Sequence, residues 1–220
     1  MLFDLRGRGR RRTIQGVYLG LALLMGGGLV LFGVGTGTGG GGLLNAFSGS
    51  GSNNQNQVVS QQEQSALKAV KLTPSSPQAW SSLVQARWTA ANQGSNFNTA
   101  TATFTAGGTK ELNGAIQAWQ RYLQLTKTPD PNVAIFAARA YASLKDYSGE
   151  ASAWEIETVA NPTQAKGFEC LALSAYAAKQ TRKGDLAATK FLSLVPKAQR
   201  PLLKTQIQQA KTQPALAQQC

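Results

Sequence analysis

The sequence predicts an all-α protein, and three observations carry that reading. From about Ser60 onward, apolar residues recur three and four positions apart; Pro and Gly interrupt them at near-regular intervals; strand-type alternation persists only over Phe97 to Phe104. Ahead of this region, Thr13 to Val34 is an uncharged, mostly apolar stretch directly following Arg6, Arg8, Arg10, Arg11 and Arg12. About 20 apolar residues span a bilayer core, and arginines flanking a first span stay on the cytoplasmic side. The expectation is a single-pass protein of the cell membrane, with a cytoplasmic N-terminus and an extracytoplasmic C-terminal domain.

In order along the chain, residues 1–12 form the basic cytoplasmic end and residues 13–34 the transmembrane helix. The apolar core is longer than that of a secretory signal, and no clean Ala-x-Ala follows it, so the span reads as an uncleaved anchor. Gly16 and Gly20 make one small-xxx-small pair, which allows close approach of two helices in lipid and so suggests a homodimer. Residues 35–59, rich in Gly, Ser, Asn and Gln, cannot repay the entropy of ordering and read as a flexible linker.

Residues 60–212 read as the helical domain, about one domain's worth of chain. Ala66, Leu67, Val70 and Leu72 stop at Pro74 and Pro77. Trp80, Leu83, Val84, Trp88 and Ala91 restart the period, and Leu112, Ala115, Ile116, Trp119 and Leu123 repeat it before Pro129 and Pro131. Val133, Ala137, Ala140 and Leu144 make the next segment, then Ala151, Trp154 and Val159 up to Pro162. Ala165, Phe168, Ala172, Ala175 and Tyr176 follow, and Gly184 separates them from Ala188, Phe191, Leu192 and Val195. A last polar helix runs from Ala198 to Lys211, and residues 213–220 read as a flexible C-terminus.

Short amphipathic helices punctuated in this way indicate helix pairs stacked in an array, since one pair cannot bury its apolar face alone. Tyr141, Ala151, Trp154 and Pro162 line up with Tyr176, Ala188, Phe191 and Pro196, the two tyrosines standing 35 residues apart. The pattern resembles the tetratricopeptide repeat family, whose period is about 34 residues. An earlier unit is suggested by Pro77, Trp80, Leu83 and Trp88, followed by Ala115, Trp119 and Pro129. Val84 and Leu173 stand where the family usually has a small residue, Gly94 to Gly108 is an insertion, and one extra residue near Gly149 upsets the middle spacing. The resemblance implies a right-handed array of antiparallel helix pairs whose first helices line a concave groove. Carried over residue by residue, the polar groove positions are Gln85, Arg87, Asn132, Arg139 and Lys179, a basic set suited to an acidic or carboxylate-bearing protein or peptide ligand.

The chain contains no histidine, which removes His-based nucleophile activation and most zinc sites. No phosphate loop, metal-ligand spacing or nucleic-acid motif is present, so no cofactor, no metal and no nucleic acid is expected. Asp130, Asp146, Glu150 and Glu169 are the acids from which a carboxylate-pair hydrolase would have to be built; the expectation is a protein that is not an enzyme. Of the net charge of +12, the first twelve residues contribute +4, and from Lys179 onward eight basic residues face the single acid Asp185. That run, Lys179 to Lys211, supports the alternative of a cell-wall or anionic-lipid binder. At most one bridge, Cys170 to Cys220, is available in an oxidising compartment; Cys170, among Phe168, Leu171 and Leu173, reads as a small buried thiol, and Cys220 as part of a frayed end. Within the insertion Gly94 to Lys110, Thr99, Thr101, Thr103 and Thr105 alternate, which suits an extended ribbon. The function expected is that of a membrane-anchored scaffold or adaptor for envelope proteins.

Overall fold

In the computed structural model, residues 53–220 are described, with side chains from Val59 onward. The transmembrane reading of 13–34, the Gly16/Gly20 pair and most of the linker lie outside them. Among the described residues, no helix is long and apolar enough to cross a membrane.

Among the described residues, eight α-helices make up the architecture: α1 Asn53–Leu72, α2 Pro77–Ala91, α3 Ala106–Leu125, α4 Pro131–Ser143, α5 Tyr147–Ala160, α6 Ala165–Ala177, α7 Thr181–Leu194 and α8 Arg200–Gln209. The chain is thus mostly all-α, with packed helix pairs α2/α3, α4/α5 and α6/α7. Successive pairs are joined by packing of α3 on α4 and α5 on α6, and α2 also reaches α4. This arrangement is compatible with a helical repeat fold.

Local chemistry sets the starts of these helices. Ser76, Thr105, Asp130 and Asp146 each accept a hydrogen bond from a backbone N–H of the first turn, and Pro77 and Pro131 occupy the position where a missing N–H costs nothing. α4 and α6 end alike: Asp146 N donates to Tyr141 O at 3.0 Å, Gln180 N donates to Ala175 O at 2.8 Å, and the intervening Lys145 and Lys179 each take φ 60°. Such a left-handed residue lets the chain reverse within a few residues and closes the pair.

The core runs along the array. Trp119, Tyr141, Trp154, Tyr176 and Phe191 are each no more than 7% exposed, and Leu83, Ala115, Ala151 and Ala188 are buried with them, whereas Trp80 and Trp88 are half-buried. Within each of the last two pairs the tyrosine ring lies on a glycine: a Cβ at Gly149 would overlap the Tyr141 ring, and one at Gly184 the Tyr176 ring. Both spacings are eight residues. The irregularity near Gly149 is therefore absorbed in the turn, where Lys145 stands four residues after its tyrosine and Lys179 only three.

The insertion folds as a short antiparallel ribbon pairing Phe97 with Phe104 and Asn98 with Thr103, in keeping with its strand-type alternation. Two features differ from the sequence expectations. α1 begins at Asn53, inside the stretch read as linker, because Val59 and Ala66 are buried and packing outweighs the polar composition around them. The last residues are not frayed: Pro214–Gln219 forms a 3-10 turn with Ala217 only 1% exposed, and Cys220 is disulfide-bonded to Cys170. Neither cysteine is a free thiol. The Cα atoms of this pair lie 5.6 Å apart across a separation of 50 residues, and closing a loop of that size removes unfolded-state entropy worth about 4 kcal/mol.

Candidate functional site

The groove positions taken over from the family pattern are divided among several environments. Gln85 is exposed on α2 and lines a shallow channel of 570 Å³ between α1 and α2, with Gln61, Ser65, Ala69 and Ser82. Asn132 is exposed and its backbone N–H and side-chain amide both donate to Asp130, so it belongs to the cap of α4. Lys179 occupies the left-handed turn after α6.

Arg87 is half-buried between two carboxylates, with Nε 3.8 Å from Glu63 Oε1 and Nη1 3.9 Å from Glu111 Oε2. Gly114 on α3 provides the room, since a Cβ there would overlap the guanidinium. Burial, and then the negative charge of Glu111, push the Glu63 carboxyl above its ordinary range. Arg87 thereby joins α1, α2 and α3, and its charge is met from within the domain.

Arg139 is exposed on α4 and borders a cleft of 590 Å³. It is lined by Trp88 from α2, by Ala102, Thr103 and Phe104 from the ribbon, by Thr109 from α3, by Arg139, Ala142 and Ser143 from α4 with Lys145 just after it, and by Gln218 and Cys220 from the C-terminal end. The ribbon holds its own shape: the Phe97 and Phe104 rings pack at 4.9 Å with their planes tilted by 60°, and Thr105 Oγ1 donates to Ser95 O at 3.0 Å. Two cations, two aromatic rings and no carboxylate side chain line this space. It is chemically suited to a ligand carrying an anionic group beside an apolar one. Trp88, which the sequence marks as a packing residue, thus lines the cleft with its partly exposed ring. Lys145, Phe104 and the C-terminal residues carry no groove signature; the groove position Arg139 and the alternating threonines are the sequence signals that point to this corner.

The acids follow local roles. Asp130 and Asp146 cap helices, and Glu169 accepts from Lys166 at 3.1 Å. Glu150 is fully buried; Trp154 Nε1 donates to its Oε1 at 3.4 Å, its Oε2 has no partner, and burial pushes its carboxyl up to about 8. Glu157 is also buried, accepts from Asn161, and lies over Gly167. Among the described residues, no cluster of His, Cys, Asp or Glu could hold a metal ion.

The basic run after α6 is partly engaged internally. Lys183 donates to Glu155 at 2.6 Å and Lys211 to Asp185 at 2.8 Å, while Arg200 donates to the carbonyls of Val195 and Ser193. Tyr176 Oη also donates to Asp185, and the bonds from Lys211 and Tyr176 hold that carboxyl below its ordinary range. No protein-family model and no curated protein sequence matches this chain.

Proposed function

We propose that this chain is a membrane-anchored scaffold, a tetratricopeptide-like array that grips other proteins or peptides on the extracytoplasmic face. The observation that carries the reading is the cleft between Trp88, Phe104, Arg139 and Lys145 on the array of helix pairs. Neither Arg139 nor Lys145 makes an ion pair among the described residues, so an acidic residue of a bound peptide would pair with them, and the aromatic side chains would take a neighbouring apolar side chain. The apolar stretch Thr13 to Val34 behind its arginines is the anchor in this reading. Anchoring confines the array near the membrane and raises the effective concentration of its partner there.

The test is photo-crosslinking in cells from a reactive residue placed at Ser143 in the intact chain. One discrete protein is expected in the crosslinked product, lost when Arg139→Glu and Lys145→Glu are combined and kept when Lys197→Glu and Lys204→Glu are combined. Capture that survives the first pair and fails with the second would refute the cleft and favour the cell-wall or anionic-lipid reading. That reading also requires binding that collapses as salt rises.

A further inference from the structure

We propose that the C-terminal turn Pro214–Gln219, fastened by the Cys170–Cys220 disulfide, is a strap across the face of α4 and α6, and that reduction by a dithiol releases it and uncovers that face. The proposal rests on the reading of the cleft as a partner site and adds its regulation.

The turn packs on both α4 and α6, the first helices of their pairs, where a groove ligand of a helical array would lie. Its residue Gln218 and the adjoining Cys220 line the same cleft that Arg139 and Lys145 border. Cys170, in the middle of α6, is fully buried.

Little besides the disulfide fixes the strap. Its backbone bonds are local, Leu216 N to Gln213 O and Cys220 N to Ala217 O. Ala217 is the single buried side chain of the turn, Leu216 is half-buried against the core, and the hydrogen bond from Gln218 Nε2 to Tyr147 Oη, 3.3 Å, is exposed. One methyl group, one half-buried leucine and one exposed bond, together about 2–4 kcal/mol, do not repay the entropy of ordering six backbone residues at about 1–2 kcal/mol each. Upstream the chain is pinned: Lys211 donates to Asp185 and stacks over the Tyr176 ring at 5.0 Å. A released strap would therefore swing from Thr212 and Gln213 while α8 stays docked.

Chemically, a thiolate of the dithiol attacks the sulfur of Cys220, the less buried partner, forming a mixed disulfide and expelling Cys170 as a thiolate that takes a proton. The second thiol of the reductant then displaces Cys220, which also takes a proton. Two electrons and two protons pass to the cysteines, and the reductant leaves as its own disulfide.

The experiment uses the full chain in detergent micelles as oxidised wild type, dithiothreitol-reduced wild type and Cys220→Ser. Amide exchange of residues 215–220 is expected to quicken at least about 10-fold on reduction and in Cys220→Ser, with the helical circular dichroism of the domain unchanged at a temperature well below its unfolding. Cys170 in Cys220→Ser is expected to react with a maleimide under native conditions. An unchanged tail with an unreactive Cys170 would overturn the strap. So would loss of the helical signal on reduction, which would make the bridge a staple of the whole domain. If the tail is released but Ser143 crosslinking gains nothing, the strap stands and the partner-site reading fails.

Discussion

Replacing Glu150 with Gln isolates the carboxyl that, among the described residues, is fully buried and whose proton the fold must retain. In the folded chain this group titrates at about 8, against an ordinary value of 4.5, because burial opposes its charge and the Trp154 indole offsets only part of that opposition. With the folded value raised, the folded state holds a proton that the unfolded chain has released between those two values. Stability is then full below pH 4.5 and falls as pH rises toward 8, by about 1.4 kcal/mol per pH unit, or about 3 kcal/mol between pH 5 and pH 7. Gln keeps an oxygen to accept from Trp154 and cannot ionise. The assay is thermal unfolding of the full, disulfide-intact chain in detergent, followed by tryptophan fluorescence; all four tryptophans, Trp80, Trp88, Trp119 and Trp154, lie in the helical domain. Glu63 and Glu157 are raised by burial too and leave a residual slope of the same sign, so the informative quantity is the difference between the two proteins. Glu150→Gln should be close to wild type at pH 5 and more stable at pH 7.5. Parallel curves across this range would refute the claim that Glu150 is held neutral by burial.

Gly149→Ala and Gly184→Ala should each lower stability by about 1–3 kcal/mol, because the added methyl displaces a tyrosine ring that closes a helix pair; the measurement is the unfolding midpoint, and an unchanged midpoint in both would deny the shared ring-on-glycine contact. Arg87→Met should destabilise by about 1–3 kcal/mol near neutral pH, with the loss shrinking as the solution is acidified, since Glu63 and Glu111 then face each other without their cation. Equal destabilisation at pH 4.5 and pH 7 would assign the effect to lost packing.

Much of the fold is legible in the residues because it is local. Ser76 before Pro77, Asp130 before Pro131 and the recurrence of Tyr141 at Tyr176 act within a turn or two of chain, where capping and apolar periodicity operate, and helix pairs follow from them. The rings of Tyr141 and Tyr176 rest on Gly149 and Gly184, a contact set by side-chain direction that sequence spacing does not carry. The candidate site was much less readable. Arg87 and Arg139 are both arginines on first helices, yet one is clasped by Glu63 and Glu111 from two other helices while the other borders an open cleft.

Helix content, breaks and caps were thus written in neighbouring residues, each able to act on the chain before any distant contact exists. The union of Cys170 with Cys220, the neutral burial of Glu150 and the meeting of Trp88, Phe104, Arg139 and Lys145 depend on segments tens of residues apart arriving together. Those outcomes belong to the packed array, because charge, exposure and reactivity are properties of surroundings that the chain acquires on folding.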